Sequence, residues 1–197
     1  MKITLYPMFV LVVIASVTAI ILSIYPGVLT DAIMYAMIPA FLTAPFIAVI
    51  VLGTLIAWAW QGKFRTIRIG WKRVAVLLVI IFSTYILLKY YIPRRTAFAL
   101  SRSSFEQLFP EAKISKYQGT KLNQRLGIYH VDEYAADARG GVYFRVHWGP
   151  DGIGPDTMSY GFVYKPNQKG TPFGAARYGL YGLGNDWYWF HASNDWY

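Results

Sequence analysis

The sequence contains no cysteine, which excludes disulfide bonds, thiolate metal ligands, iron–sulfur clusters and cysteine nucleophiles. Charge is also scarce, since charged residues make up 15% of the 197 residues while hydrophobic residues make up 55% and aromatic residues 18%. The mean hydropathy is +0.33. A chain of this composition is too apolar to form one water-soluble globule. Part of it is therefore expected to lie in lipid.

Three apolar runs are each long enough to span a bilayer, which takes about 20 residues. They cover residues 8–25, 40–60 and 74–92. The first run could instead be a secretory signal peptide, but it stays apolar beyond the roughly 7–15 residues of a signal core. The sequence thus favours a membrane anchor over residues 1–93 with three transmembrane helices.

Prolines are expected to set the limits of these helices. Pro26-Gly27 predicts the end of the first helix, and Pro93 predicts the end of the third. Pro39 is placed to occupy the first turn of the second helix, where proline is tolerated, and Pro45 is expected to kink that helix.

The positive charges predict the orientation of the anchor. The loop 61–73 has five cations and no acid, whereas the loop between the first two runs has one acid, Asp31, and no cation. Because cytoplasmic loops are enriched in Lys and Arg, the N-terminus and the 61–73 loop are expected to be cytoplasmic. Three crossings then place residues 94–197 outside the cytoplasm.

The net charge of +9 does not indicate nucleic-acid binding. Residues 1–93 contain seven cations and one acid, and residues 94–197 contain twelve cations and nine acids. Most of the excess therefore belongs to the membrane anchor, and the remainder forms no basic stripe of the kind that binds a phosphate backbone. Lipid is the expected partner of the first part of the chain.

The membrane runs lack the residues that transport requires but contain regularly spaced alanines. No Asp, Glu, Lys, Arg or His lies within 8–25, 40–60 or 74–88, so neither a proton relay nor a buried ion site is predicted. Small residues four positions apart let helix backbones approach closely. Such spacing either packs the three helices together or docks another membrane subunit, and it involves Ala15, Ala19, Ala40, Ala44 and Ala48.

After residue 94 the pattern changes to that of a small α+β domain. Ser103 and Glu106 have capping-box spacing, which predicts a short helix over Ser104–Phe109 ended by Pro110. The following apolar alternation, separated by turn-forming segments, predicts an antiparallel meander of about five strands. The predicted strands are Ile128–Tyr134, Val142–Trp148, Met158–Tyr164, Ala176–Leu183 and Trp187–Ala192.

The domain offers little catalytic chemistry. His130 and Asp132 share a strand face, and a histidine such as His147 on a neighbouring strand could complete a metal site with them. Strand histidines more often serve as ordinary hydrogen-bonding residues, so no metal and no cofactor are predicted. Ser159 lacks the first glycine of a nucleophile elbow. We name no catalytic residue, and a non-enzymatic role is preferred.

The most unusual segment is NDWYWFHASNDWY at 185–197, in which Asn-Asp-Trp-Tyr occurs twice. In a strand, Trp187, Trp189 and His191 face one way, and Tyr188 and Phe190 face the other. One interpretation is packing in the core or at an interface. The other is a binding row of Trp187, Trp189 and His191 that stacks a sugar ring or contacts a protein.

Together these patterns predict a membrane-anchored accessory or interaction protein without catalysis of its own, which presents an extracytoplasmic β-rich domain to a partner. The alternative function is a membrane-tethered module that binds carbohydrate or cell wall.

Overall fold

The structure, a computed structural model, describes residues 6–60, 71–109, 114–115, 119–152 and 155–194. It divides into two compact units. One contains Met1–Ile20 and Ala32–Tyr90, and the other contains Ile21–Asp31 and Tyr91–Tyr197. The second unit holds the β-sheet, and it also includes the segment that joins the first two helices.

Two apolar helices begin the chain. Helix α1 spans Tyr6–Ile24 and helix α2 spans Val28–Trp60. Each contains a segment long and apolar enough to cross a membrane, Pro7–Ile24 in α1 and Val28–Ile50 in α2. These two helices indicate association with a membrane.

The second helix starts at Val28 rather than near residue 40, so the predicted loop before it is wrong. The connection is only the turn through Pro26 and Gly27, and the Asp31 backbone N–H donates to the Gly27 carbonyl at 2.9 Å. An acid in the first turn of a helix suits its dipole. Pro39 consequently lies inside α2, together with Pro45, and not in its first turn.

Helix α3 spans Trp71–Lys89, and helix α4 spans Ile92–Glu106. The pair is long and apolar enough for a crossing when taken together, but it is bent by 49° at the break between the helices. A third transmembrane helix over 74–92 is therefore not confirmed. Of the basic 61–73 loop, residues 61–70 lie outside the described residues.

The short helix predicted over Ser104–Phe109 is wrong in its limits. Helix α4 begins after Tyr91, which has a left-handed φ of 54°, and Pro93 lies in its first turn. Proline is favoured there because its missing N–H would be unpaired in any case. Pro93 thus starts α4, and Ser103 lies near the end of that helix instead of capping its beginning.

Within the described part of the chain, seven strands form one sheet. Five of them confirm the predicted strands. The other two, β1 and β2, lack apolar alternation and were not predicted. Their bounds are β1 Ile114–Ser115, β2 Thr120–Leu126, β3 Tyr129–Asp137, β4 Val142–Pro150, β5 Thr157–Tyr164, β6 Ala176–Gly184 and β7 Trp187–Ser193. Pairing is antiparallel except between β1 and β3.

The strand order departs from a meander. It runs β1-β3-β4-β5-β7-β6, with β2 also paired to β3, so β7 lies between β5 and β6. The physical reason is the composition of the two last strands. Strand β7 has apolar side chains on both faces and is largely buried, whereas the glycine-rich β6 is more exposed and forms the edge.

Aromatic side chains fill both faces of the sheet. On one face, Phe98 and Phe105 of α4 pack against the sheet around Phe162 and Trp187. On the other face a second cluster surrounds the fully buried Phe190. Helix α4 is therefore the element that covers one face of the sheet.

Candidate functional site

In the second unit, four side chains bind the turn between α1 and α2, and we name them the turn-binding cluster: Arg94, Tyr129, His147 and Tyr160. We call the part of this unit from Tyr91 onward the sheet unit. Arg94 comes from the first turn of α4, and the others come from β3, β4 and β5. Every contact described below lies within this one unit, because the unit includes Ile21–Asp31.

Arg94 and Tyr129 bind the carbonyl end of α1. The Arg94 Nε donates to the Ser23 carbonyl at 3.2 Å, and its Nη2 donates to the Tyr25 carbonyl at 3.4 Å. The Tyr129 hydroxyl donates to the Ile24 carbonyl at 3.3 Å. The last carbonyls of a helix have no intrahelical donor, and a cation there complements the helix dipole. These two side chains thus cap α1.

The turn itself packs on Tyr129 and Tyr160. Tyr25 meets the Tyr129 ring edge to face at 5.1 Å, and its hydroxyl donates to the Ile128 carbonyl at 2.7 Å. Gly27 has a φ of +86°, and a Cβ at this position would overlap the Tyr160 ring. Backbone conformation and close approach both require glycine here.

Asp31 and His147 form the third connection. The Asp31 carboxylate lies 2.7 Å from the His147 Nε2, and Asp31 is only 7% exposed. The His147 ring stacks on Tyr160 at 5.8 Å. A Cβ at Gly149 would overlap the Asp31 carboxylate, so only glycine at that position leaves space for the carboxylate. The acid expected in an open loop is therefore buried against β4.

Burial sets the ionisation of the cluster. Removal from water lowers the pKa of Arg94 to about 10, so the guanidinium stays charged at neutral pH. Burial, with the charges of Asp31 and Asp151, raises the pKa of Tyr160 to about 12, and burial also raises that of Tyr129. Both phenols are protonated at neutral pH. They can bind and donate, but they are poorly suited to act as bases.

The terminal aromatic strand has the predicted alternation. Trp187 is fully buried, and its indole lies between 4.9 and 6.2 Å from the rings of Phe98, Phe105, Phe109, Phe144 and Tyr164. Phe190 is buried on the opposite face. Of the two interpretations that the sequence left open, packing and ligand binding, this burial favours packing for Trp187.

Trp189 and His191 lie beside the turn-binding cluster. Trp189 is 7% exposed, stacks on Tyr181 at 4.0 Å, and has the Arg94 Cζ 4.3 Å from its ring centroid. His191 lies between Tyr160 and Tyr181, and burial lowers its pKa. Binding of an outside ligand by Trp187, Trp189 and His191 stays a prediction.

The alanines of the membrane helices have little packing around them. Ala15, Ala40, Ala44 and Ala48 are exposed and Ala19 is half-buried, within the described part of the chain. Their role in helix packing also stays a prediction.

Little in the sequence indicated this site. In the sequence, Asp31 bears only on topology, and Tyr129 and Tyr160 fall only within predicted strands. His130, suggested with Asp132 for a metal, instead lies 2.9 Å from the Asn123 Oδ1, while Asp132 pairs with Arg145 at 2.9 Å. Among the described residues, no group of three or more histidines and acids could hold a metal ion.

The turn-binding cluster can hold a helix turn in place, but it contains no nucleophile paired with a base. No protein-family model, curated protein or solved structure matches this chain.

Proposed function

We propose that this chain is a multi-pass membrane protein whose sheet unit is an extracytoplasmic, non-catalytic interaction module. The observation that carries the proposal is the binding of the α1–α2 turn by Arg94, Tyr129, His147 and Tyr160. These contacts require the turn and the sheet to lie on the same side of the membrane. The chain between Asp31 and Tyr91 then crosses the membrane an even number of times, which supports a crossing by α2 and a return crossing by α3.

The distribution of positive charge indicates on which side of the membrane the sheet unit lies. The 61–73 loop contains Lys63, Arg65, Arg68, Lys72 and Arg73, and the positive-inside rule assigns such a loop to the cytoplasm. The opposite ends of α2 and α3 are then extracytoplasmic, together with the sheet unit.

The role of an accessory protein is supported by how the polar residues of the cluster are used. Arg94 and Tyr129 bind backbone carbonyls, and His147 binds Asp31, so these groups hold helix ends instead of facing a substrate. A domain that fixes the ends of membrane helices is suited to present them to another subunit.

The partner we propose is a second membrane-protein subunit that contacts the alanine row of α2, Ala40, Ala44 and Ala48. These residues are exposed, and small residues at this spacing allow close helix contact. The test is recovery of co-purifying membrane proteins from native detergent, identified by mass spectrometry.

Ala44→Leu should reduce recovery of a specific partner while the chain stays folded, because added bulk separates the helix backbones. Gly53→Leu is the matched control, since Gly53 lies nine residues further on and thus on the opposite face of α2. Equal partner recovery from both variants and the unchanged chain would contradict the proposal.

Carbohydrate binding is the second candidate, and one observation favours it: Trp148 on β4 is 59% exposed. An exposed indole can stack a sugar ring. Retention of the chain on peptidoglycan or a glycan array, lost in Trp148→Ala, would support this function over the first.

A further inference from the structure

Arg94 is a buried charge without a carboxylate partner in the part of the chain that the structure describes. Its side chain is 6% exposed, and the groups that act on it electrostatically are tyrosines. Two of its nitrogens, Nε and Nη2, donate to carbonyls of the α1–α2 turn. The third, Nη1, is buried with no hydrogen-bond partner among the described residues. An uncompensated buried charge with an unused donor is costly.

A second unused donor belongs to the same contact. The Trp189 Nε1 is also buried and has no partner among the described residues. The Arg94 Cζ lies 4.3 Å from the Trp189 ring centroid, so the guanidinium packs against the indole that carries this N–H. One acceptor within hydrogen-bond reach of both nitrogens would satisfy both donors.

Nearby carboxylates have partners of their own, although the Asp151 Oδ2 is buried without a hydrogen-bond partner among the described residues. Asp31 pairs with His147 at 2.7 Å, and Asp151 pairs with Arg177 at 2.7 Å. Both acids are nonetheless close enough to act on Tyr160, which belongs to the turn-binding cluster. Their negative charge disfavours an anion of high charge, and the burial of both nitrogens disfavours a large one.

We propose that Arg94 Nη1 and Trp189 Nε1 together bind one small monovalent anion, of the size of chloride or bromide. The anion neutralises the buried guanidinium and accepts hydrogen bonds from both nitrogens. Because Arg94 also caps α1, anion binding strengthens the interaction between the sheet unit and the α1–α2 turn.

The experiment uses the purified full chain in detergent, with sodium gluconate as the starting salt. Gluconate is replaced by chloride or bromide at constant ionic strength, and the thermal unfolding midpoint is followed. We expect a saturable rise of the midpoint with either halide, since a ligand that binds only the folded state stabilises it. Line broadening of the chloride-35 resonance measures binding directly.

The decisive variant is Trp189→Phe, which keeps an aromatic ring at this position and removes the indole N–H together with the second ring. The halide concentration for half the effect should rise about tenfold or more, as expected for a lost hydrogen bond to an ion. Trp148→Phe, at an exposed tryptophan, should leave that concentration unchanged. Arg94→Lys is a second variant and should also weaken halide binding.

Two results would overturn the proposal. One is an unfolding midpoint that is equal in chloride and gluconate. The other is a Trp189→Phe chain that folds and responds to halide at the same concentration as the unchanged chain. Either result would mean that carbonyls, aromatic rings and internal water satisfy Arg94 without an anion.

Discussion

The burial of Trp187 predicts that Trp187→Ala will strongly destabilise the sheet unit. Trp187 is fully buried, and the rings of Phe98, Phe109 and Tyr164 lie 4.9, 5.6 and 5.5 Å away. Replacing a buried tryptophan by alanine costs about 3–5 kcal/mol, because the lost transfer energy is joined by the cost of the cavity. Domains unfold with about 5–15 kcal/mol. The loss is therefore a large share of the total.

Two other aromatic residues provide the comparison. Tyr188→Ala, at a half-buried position on the opposite face of β7, should cost less than Trp187→Ala. Trp148→Ala, at an exposed position, should change the free energy of unfolding by no more than about 0.5 kcal/mol. All three are measured by urea unfolding of the full chain in detergent, with limited proteolysis as a second readout.

The result that would refute this reasoning is a Trp187→Ala chain no less stable than Trp148→Ala. Trp187 would then not be a core residue, and the interpretation of Trp187, Trp189 and His191 as a binding surface would be favoured again. Helix α4 covers Trp187 through Phe98 and Phe105.

Two further predictions concern ion pairs of the sheet unit. Gly149→Ala introduces a Cβ that overlaps the Asp31 carboxylate. It should therefore break the pair of Asp31 with His147 and lower the free energy of unfolding by about 1–3 kcal/mol. In a double-mutant cycle, adding Asp31→Asn should then lower it little further, and full additivity of the two changes would contradict the contact. Burial alone would raise the pKa of Asp137, but hydrogen bonds from Arg139 outweigh it and lower that pKa below 3.8. The stabilisation is therefore complete above the ordinary pKa and lost as the pH falls through the lower folded-state pKa. Asp137→Asn should flatten this acid limb of the stability profile, and an unchanged limb would show that other groups produce it.

Local patterns were enough to predict most of the fold. The five strands β3–β7 follow from period-two alternation between turn-forming segments, and the apolar character of α1 and α2 follows from composition alone. Strand β2 could not be found in this way, because TKLNQRL is mostly exposed and has no apolar alternation. The insertion of β7 between β5 and β6 depends on which strand buries both faces, and this is decided by long-range packing.

The candidate site could not be predicted for a related reason. Arg94 lies 71 positions from Ser23, and Asp31 lies 116 positions from His147. No local period joins residues so distant. The one local sign was Gly27 after Pro26, which predicted a sharp turn without showing that Tyr160 packs against it.

The α1–α2 turn and the sheet unit are proposed to lie on the same, extracytoplasmic side of the membrane. Since the chain has no cysteine, single cysteines at Thr30, Gln168 and Gly62 can be labelled with an impermeant maleimide on intact cells. Thr30 and Gln168 are exposed positions of the turn segment and the sheet unit. We predict that Thr30→Cys and Gln168→Cys react on intact cells and that Gly62→Cys reacts only after lysis. Reaction of Thr30→Cys and Gln168→Cys from opposite sides would contradict the shared unit, and reaction of Gly62→Cys alone on intact cells would contradict the orientation.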